Sequence, residues 1–143
     1  LKMTEEEYIE KRVNDQIQWY SKKSAINKNY HLSTRGLVIV FAALIPFAAG
    51  FITEKTIQLN YVIAVLGVLT AIFTGLSELL KFQEKWIEYR ITSEKLKHEK
   101  ILFKTNSGPY NRTLNQFKFF VSRIENLINK ENSAWSQHVK KEN

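Results

Sequence analysis

Two long runs of residues without a single charge dominate this sequence. Residues 36–53 and 56–77 contain no Asp, Glu, Lys or Arg, although 24% of the 143 residues are charged, and only Glu54 and Lys55 separate the runs. A helix of about 20 apolar residues can cross the hydrocarbon core of a bilayer. Both runs must be helical there, because unpaired backbone amides are too costly in hydrocarbon. We therefore expect an all-α membrane protein built around a two-helix transmembrane hairpin.

Basic residues cluster at the outer ends of the two runs. Lysines and arginines occur at Lys22, Lys23, Lys28 and Arg35 before the first run, and at Lys81, Lys85, Arg90, Lys95 and Lys97 after the second. The connecting turn offers only Lys55. Because such residues favour the cytoplasmic side of a membrane, we expect both termini in the cytoplasm. A soluble bundle with two buried helices is the alternative, but a chain of this length would hardly surround them.

The pattern predicts three parts: an amino-terminal cytoplasmic helix (residues 1–35), the transmembrane hairpin (36–77, with spans 36–53 and 56–77) and a cytoplasmic helical hairpin (78–143). The first helix should begin with a capping box formed by Thr4 and Glu7. Its apolar face comprises Ile9, Val13, Ile17 and Tyr20. The soluble helices are expected to pack into a small bundle beneath the membrane.

A heptad pattern follows the second run. This seam comprises Leu79, Phe82, Trp86, Tyr89, Ser93, Leu96, Lys100 and Phe103. Because only tolerated glycines interrupt residues 56–105, we expect the second span to continue as one long cytoplasmic helix that ends at residues 106–109. A last helix is expected from Asn111, with an apolar stripe at Leu114, Phe117, Val121, Ile124, Ile128 and Trp135.

Several kinds of chemistry are not expected. The chain has no cysteine, and its three histidines, His31, His98 and His138, are too far apart in sequence to form a helical metal pair. Glu84 and Glu88 alternate with lysines, as on a solvated face. No phosphate loop or nucleophile motif is present. We predict no enzyme activity and no cofactor, and despite the net charge of +7 we expect no nucleic-acid binding, since recognition motifs are lacking.

The residues that flank the two runs resemble a known family. The marks are Arg12, Val13, Gln16, Trp19, Tyr20, Lys23 and Ser24 before the runs, then Lys81, Phe82, Gln83, Glu84, Trp86, Tyr89, Arg90, Thr92, Glu94, Leu96 and Glu99, and finally Gly108, Pro109, Tyr110, Phe120, Val121, Arg123, Glu125, Glu131, Asn132 and Trp135. In this order around a two-span hairpin they are similar to the SLATT family, the SMODS and SLOG-associating two-transmembrane effectors. The resemblance implies a pore-forming effector of the bacterial inner (plasma) membrane, active in defence and nucleotide signalling, with a nucleotide-synthesising or nucleotide-sensing partner protein.

A stripe of small and mildly polar residues runs along the second span. It comprises Asn60, Ala64, Gly67, Ala71, Thr74 and Glu78. Helix packing is the favoured role for each member, and lining a water-filled path is the alternative. Two spans cannot enclose water, so conduction would need a homo-oligomeric ring, which we expect the cytoplasmic seam to hold together. Glu78 would then form a carboxylate ring, or else pair with Lys81, and Pro46 marks a bend or gating point in the first span.

A non-conducting anchor that recruits a soluble partner is the second hypothesis. Exposed tryptophans among Trp19, Trp86 and Trp135 would form its docking surface, whereas buried ones, with Tyr20 and Tyr89, would only hold the bundle. Direct binding of a nucleotide ligand would need unpaired arginines among Arg12, Arg90 and Arg123. We favour their pairing with carboxylates such as Glu94 or Glu125.

Overall fold

The computed structural model describes residues 3–53 and 58–141, with side chains described up to Lys130. These residues are almost entirely helical and contain no β-strand. The elements are α1 (Glu5–Tyr8), a π-helical turn (Ile9–Asn14), α2 (Asp15–Ala49), α3 (Gln58–Leu80), α4 (Phe82–Lys104), a 3₁₀ helix (Gly108–Arg112) and α5 (Gln116–Lys141). The all-α class is as predicted, and the turn at Glu54 and Lys55 lies outside the described residues.

The chain enters α1 through the predicted capping box, which is confirmed. Thr4 Oγ1 accepts a hydrogen bond from the Glu7 amide at 3.3 Å, and the Glu7 carboxylate accepts one from the Thr4 amide at 3.4 Å. Three glutamates in this first turn also favour the positive end of the helix dipole. The helix then continues through the π-helical turn into α2, so the amino-terminal helix and residues 36–49 of the first apolar run form one uninterrupted helical segment, Glu5–Ala49. Pro46 lies within its last turn. The predicted first span, 36–53, is therefore helical only as far as Ala49.

The second long helix contains an irregularity that the sequence pattern did not predict. Lys81, between α3 and α4, has a φ of 49°, a left-handed conformation that costs a non-glycine residue about 1–2 kcal/mol. The Lys81 amide still bonds to the Ser77 carbonyl, and the Lys85 amide bonds to the Lys81 carbonyl. The expectation of one uniform helix is thus corrected at this residue, where α3 and α4 meet.

Helix α4 ends where the sequence predicts, but α5 begins later than expected. Asn106 is left-handed at φ 52°, and the amide of Ser107 bonds to the Leu102 carbonyl at 2.9 Å, which closes the helix as a Schellman motif. Residues 108–112 then form a 3₁₀ helix, so α5 starts at Gln116 and not near Asn111. Leu114 precedes α5 and is fully exposed, so its assignment to the apolar stripe was wrong.

The described helices divide into two compact units. We call Leu1–Ser24 with Ile87–Asn143 the core unit, and Ala25–Trp86 the apolar unit. The core unit has a hydrophobic centre made of Tyr8, Ile9, Val13, Tyr20, Leu96, Tyr110, Phe120, Ile124 and Ile128. The predicted apolar face of the amino-terminal helix contributes Ile9, Val13 and Tyr20 to this centre, and Ile17 packs against it. The core unit therefore has the interior of an ordinary soluble domain.

The predicted cytoplasmic seam packs inside the chain. Leu96 and Ser93 are buried, and Tyr89 and Phe103 pack against the hydrophobic centre of the core unit. Leu79, the first seam position, is 76% exposed. The periodicity correctly located a buried face, but its buried positions are covered within one chain and not by a second copy. This result corrects the expected role of the seam.

The apolar unit has no comparable interior. No residue of α3 is buried, and the most apolar windows of both long helices contain no buried residue. Contacts between its helices are made by half-buried or exposed side chains, for example Phe41 and Phe73, whose ring centroids lie 6.0 Å apart. The soluble alternative required two buried helices, which is not what is observed. Both helices are long and apolar enough to cross a membrane.

Candidate functional site

The small-residue stripe of α3 is mostly exposed within the chain. Asn60, Ala64, Ala71, Thr74 and Glu78 are exposed, and Gly67 is half-buried. A Cβ atom added at Gly67 would meet no heavy atom within 4 Å, and the same holds at Gly75. Close packing of small residues against another helix would leave no such space. The stripe is therefore available for contacts outside this chain.

Polar and charged residues converge at the end of the apolar unit near Lys81. A cleft there is lined by His31, Arg35, Ser77, Glu78, Lys81, Gln83 and Glu84, and an adjoining one adds Thr34, Val38 and Thr74. Glu78 forms no ion pair or hydrogen bond with a described residue, so the alternative role of pairing with Lys81 is not observed. The Glu78 carboxylate thus lies in a polar cleft with Arg35 nearby.

Trp86 is held between two side chains of α2. The Lys28 ammonium lies 5.7 Å from the centre of the Trp86 ring, and the His31 ring centroid lies 6.2 Å from it. Tyr30 stacks on Phe82 with centroids 5.5 Å apart. These contacts form an aromatic cluster beside the polar cleft, and Trp86 is half-buried in it. Trp86 is therefore not an open docking surface in this chain.

Trp19 differs from Trp86 because it is 46% exposed. Its ring meets the edges of Tyr20 at 4.9 Å and Tyr89 at 5.8 Å, and the Lys23 ammonium lies 5.7 Å from its centre. Tyr20 is buried and Tyr89 half-buried, so both tyrosines help to hold the core unit. Trp19 is anchored on one edge and open on the other. The side chain of Trp135 lies outside the described side chains.

The first of two carboxylate clusters joins the amino-terminal segment to α5. Arg12 donates two hydrogen bonds to Glu125, at 3.1 and 2.9 Å, and the Tyr8 hydroxyl donates a third at 2.9 Å. The Arg12 guanidinium lowers the pKa of Glu125 below its usual value. Burial, together with the Glu125 carboxylate, raises the pKa of Tyr8. Tyr8 therefore stays protonated and donates, and the cluster links residues 113 positions apart in sequence.

The second carboxylate cluster is more deeply buried. The Glu99 side chain is only 5% exposed, and it accepts hydrogen bonds from the Arg123 guanidinium, one of them at 3.0 Å, and from the Tyr110 hydroxyl. Burial acts to raise the pKa of Glu99, but the bonds from Arg123 and Tyr110 outweigh burial and lower it. Burial and the Glu99 carboxylate raise the pKa of Tyr110. This cluster fixes α4, the 3₁₀ helix and α5 to each other.

The three arginines considered for nucleotide binding are all ion-paired. Arg12 pairs with Glu125, as expected, and Arg90 pairs with Glu94 at 3.4 Å. Arg123 pairs with Glu99, a carboxylate that the sequence analysis did not name as its partner. These arginines do not converge as free donors on one pocket, which is what binding of a phosphate ligand by them would require.

Sequence reasoning missed the most buried charged residue and its phenolic partner. Glu99 and Tyr110 were noted only as family marks, because Glu99 lies among lysines in a stretch that looks solvent-exposed. The signal that pointed to it was its position three residues after Leu96, on the same helical face. Among the described residues, no group of three or more His, Asp or Glu side chains is arranged to hold a metal ion.

Comparison with known protein families gives a match over most of the chain. The family model described as protein of unknown function (DUF4231) matches residues 15–118, which include all of α2, α3 and α4, the 3₁₀ helix and the start of α5. No curated protein and no solved structure matches the chain. The match covers both apolar runs and more than half of the sequence. The chain therefore belongs to the DUF4231 family.

Proposed function

We propose that this chain is one subunit of a homo-oligomeric pore or channel in the bacterial inner membrane, with both termini in the cytoplasm. One observation carries the proposal: two long apolar helices have no buried residue in their most apolar windows, although the same chain builds a dry core elsewhere. An exposed apolar surface of this extent is costly in water but not in lipid. Lipid and neighbouring subunits are the surroundings that would cover it.

The spacing of aromatic residues in the apolar unit supports insertion. Tyr30 stacks on Phe82 near one end, and the rings of Phe47 and Phe51 meet at 5.1 Å near the other. Tyr30 and Phe47 are separated by about 26 Å of helix, and Tyr61 and Phe82 by about 31 Å. Aromatic residues gather at the two faces of a bilayer, whose hydrocarbon core is about 30 Å thick. The two aromatic groups fit those faces.

Conduction requires self-association, because two helices cannot enclose a water-filled path. The exposed stripe of α3 supports an association in which second spans face one another, since open space surrounds Gly67 and Gly75. In the core unit, α4 leaves Ile87, Ile91 and Ile101 exposed at helical spacing. With the seam packed inside the chain, this isoleucine face takes over the proposed role of contacting the next subunit.

The resemblance to the SLATT family supports the effector role. Its marks include Arg12 with Glu125 and Glu99 with Tyr110 and Arg123, and the structure brings each set together as a carboxylate cluster. Scattered marks that meet in space are typical of a shared fold. We propose on this basis that the chain acts in a bacterial conflict or nucleotide-signalling system. Because the three arginines are ion-paired, a nucleotide signal would arrive through a partner protein.

Reconstitution into liposomes tests the proposal. The purified chain should release small ions, and Glu78→Gln should reduce the preference for cations over anions, because Glu78 is an exposed carboxylate on the α3 stripe. Glu94→Gln is the matched control, since Glu94 is also an exposed carboxylate but lies in the core unit. An oligomer that never passes ions contradicts the pore. An unchanged ion preference in Glu78→Gln removes this residue from the path.

Topology is tested separately with introduced cysteines. The natural chain has none, so Glu54→Cys and Ser107→Cys each provide a single labelling site. In sealed inverted vesicles, whose outer surface is the cytoplasmic face, a membrane-impermeant thiol reagent should label position 107 and leave position 54 unlabelled. Labelling of position 54 in intact vesicles would overturn the proposed orientation and the placement of both termini.

A non-conducting anchor is the second candidate, and the exposure of Trp19 favours it. A tryptophan fixed by Tyr20 and Tyr89 on one edge and open on the other is typical of a binding hot spot. If this role is correct, Trp19→Ala should abolish recruitment of a soluble partner to the membrane and leave ion release unchanged. Loss of ion release without loss of recruitment would favour the pore.

A further inference from the structure

We infer that the polar cleft of the apolar unit is a binding site for the phosphoethanolamine headgroup of a membrane lipid. The inference rests on the proposed membrane insertion but not on conduction. Besides His31 and Lys81, the cleft contains charged residues of both signs: Arg35 on α2, and Glu78 and Glu84 on the second long helix. None of these three side chains forms an ion pair or hydrogen bond with a described residue. All three are therefore available to a ligand.

Arg35, Glu78 and Glu84 differ in their pairing from the arginines of the core unit. There, Arg12, Arg90 and Arg123 each pair with a carboxylate. In the cleft, Arg35, Glu78 and Glu84 line one space without pairing with each other, and Lys81 adds a second positive charge to the lining. Opposite charges that share a cleft but leave one another unpaired match a ligand that itself carries both charges. Ser77 and Gln83 add neutral hydrogen-bonding groups to the same walls.

The position of the cleft identifies the source of the ligand. It adjoins the aromatic cluster of Tyr30, Phe82 and Trp86, which we placed at one face of the bilayer. Arg35 and Glu78 are exposed, so the cleft is open at the side and does not engulf a solute. A headgroup that remains attached to its acyl chains can enter such a site from the membrane. Apolar side chains of the two spans would lie alongside those acyl chains.

The chemistry of the cleft selects one headgroup class. Arg35 offers a planar fork of donors that suits a phosphate, and Glu78 and Glu84 are acceptors for the three N–H groups of a primary ammonium. A phosphocholine headgroup has the phosphate but lacks N–H donors. A phosphoglycerol headgroup has the phosphate but no cation, so it would leave the two glutamates without a partner. Of these three headgroups, only phosphoethanolamine has both a phosphate for Arg35 and N–H donors for Glu78 and Glu84.

Native mass spectrometry of the detergent-solubilised full chain tests this inference. Lipids with identical acyl chains and phosphoethanolamine, phosphocholine or phosphoglycerol headgroups are titrated, and bound lipid per chain is counted. We expect retention of phosphoethanolamine to exceed that of the other two by about threefold or more, a modest difference in affinity. Arg35→Gln and the double change Glu78→Gln with Glu84→Gln should each remove this preference. Arg90→Gln, in the core unit, is the matched control and should retain it.

Each other outcome overturns the inference. Equal retention of phosphoethanolamine and phosphocholine would show that Glu78 and Glu84 do not select for a primary ammonium group. Preferred retention of phosphoglycerol would show that the basic residues alone attract lipid. A series of N-methylated phosphoethanolamines needs no variant: retention should fall with each N–H group lost, and a flat series contradicts the site. If the lipid preference is absent while liposomes still leak, the headgroup site fails and the pore proposal stands.

Discussion

The core unit and the apolar unit place the same types of apolar residue in opposite surroundings. In the core unit, Phe120 and Ile124 are buried and charged side chains lie outside or in ion pairs. In the apolar unit, Phe47 and Ile39 are exposed to about two thirds. Hydrophobic side chains are driven inward only where the surroundings are water. The core unit therefore buries its apolar residues as a domain in water does, whereas the apolar unit leaves long apolar helices exposed, as in a segment that could cross a membrane.

The charges of the two units repeat this contrast. Glu99 is almost fully buried, and its cost of desolvation is offset by Arg123 and Tyr110. Glu78 is exposed and accepts no hydrogen bond from a described residue. A buried carboxylate without partners would be strongly destabilising, whereas an exposed one is free for ions or headgroups. Glu99 is thus paired inside the core unit, whereas Glu78 in the apolar unit has no ion-pair or hydrogen-bond partner among the described residues.

The largest expected effect compares two phenylalanines. Phe120 is fully buried and stacks on Phe103 at 4.3 Å, so Phe120→Ala should lower the free energy of unfolding of the core unit by about 3–5 kcal/mol. Phe47→Ala, at a residue that is 65% exposed, should change it by less than about 0.5 kcal/mol. Denaturant unfolding in detergent, followed by hydrogen exchange of α5 amides, measures both. Equal losses would contradict the division into two differently stabilised units.

The next comparison concerns the two glutamates. Glu99→Gln removes the charge that pairs with Arg123 and should cost about 2 kcal/mol of core-unit stability, less than for a wholly buried pair because Arg123 is 44% exposed. Glu78→Gln should leave that stability unchanged, since Glu78 has no described partner. The same unfolding measurement separates them. A stable Glu99→Gln protein would show that the cluster is not needed to fix α4 to α5.

A smaller and graded effect is expected from acid. Hydrogen bonds and arginines lower the pKa of Glu99 and Glu125 in the folded state, so the unfolded chain binds protons more readily. Their stabilisation is complete above about pH 4.5, the ordinary value for an unfolded glutamate, and is lost as the pH falls through the lower folded values. Unfolding measured between neutral and acid pH should therefore show falling stability. The double variant Glu99→Gln with Glu125→Gln should flatten this dependence; an unaltered slope would assign it to other carboxylates.

The smallest expected effect compares two glycines. Gly108 has a φ of 61°, so Gly108→Ala should cost about 1 kcal/mol through backbone strain, although its Cβ would meet Leu102 only at ordinary contact distance. Gly67 is helical with open space around it, and Gly67→Ala should leave the fold intact. If Gly67 packs against another subunit, the same change should weaken the oligomer. Thermal melting checks the first residue, and particle mass in detergent checks the second.

Local features of the fold were predictable because they depend on neighbouring residues only. The capping box at Thr4, the end of α4 near Gly108 and the length of the apolar runs all follow from short-range chemistry. The heptad pattern also located a buried face correctly at Leu96 and Ser93. Periodicity reports that a face is covered, but it does not say by what. The heptad pattern therefore identified the buried seam residues, but in the structure these residues pack within the same chain and not against a second copy.

Other features depended on contacts that periodicity does not encode. Leu114 fits the spacing of the α5 stripe, but the 3₁₀ helix between residues 108 and 112 delays the start of α5. Pairing of Arg123 with Glu99 joins two helices across the chain, and no local rule chooses it over other carboxylates. The left-handed Lys81 is likewise absent from the sequence pattern. Each of these outcomes is decided by how helices meet.

By itself the sequence determined an all-α chain with two segments apolar enough to span a membrane, because charge and hydropathy along a helix are one-dimensional properties. Tertiary structure alone decided which helical faces are covered within the chain, which charges are paired and which remain open. Those choices depend on packing between residues as distant as Arg12 and Glu125, where three hydrogen bonds on one carboxylate outweigh its burial. Distant partners of this kind are selected by geometry and not by spacing.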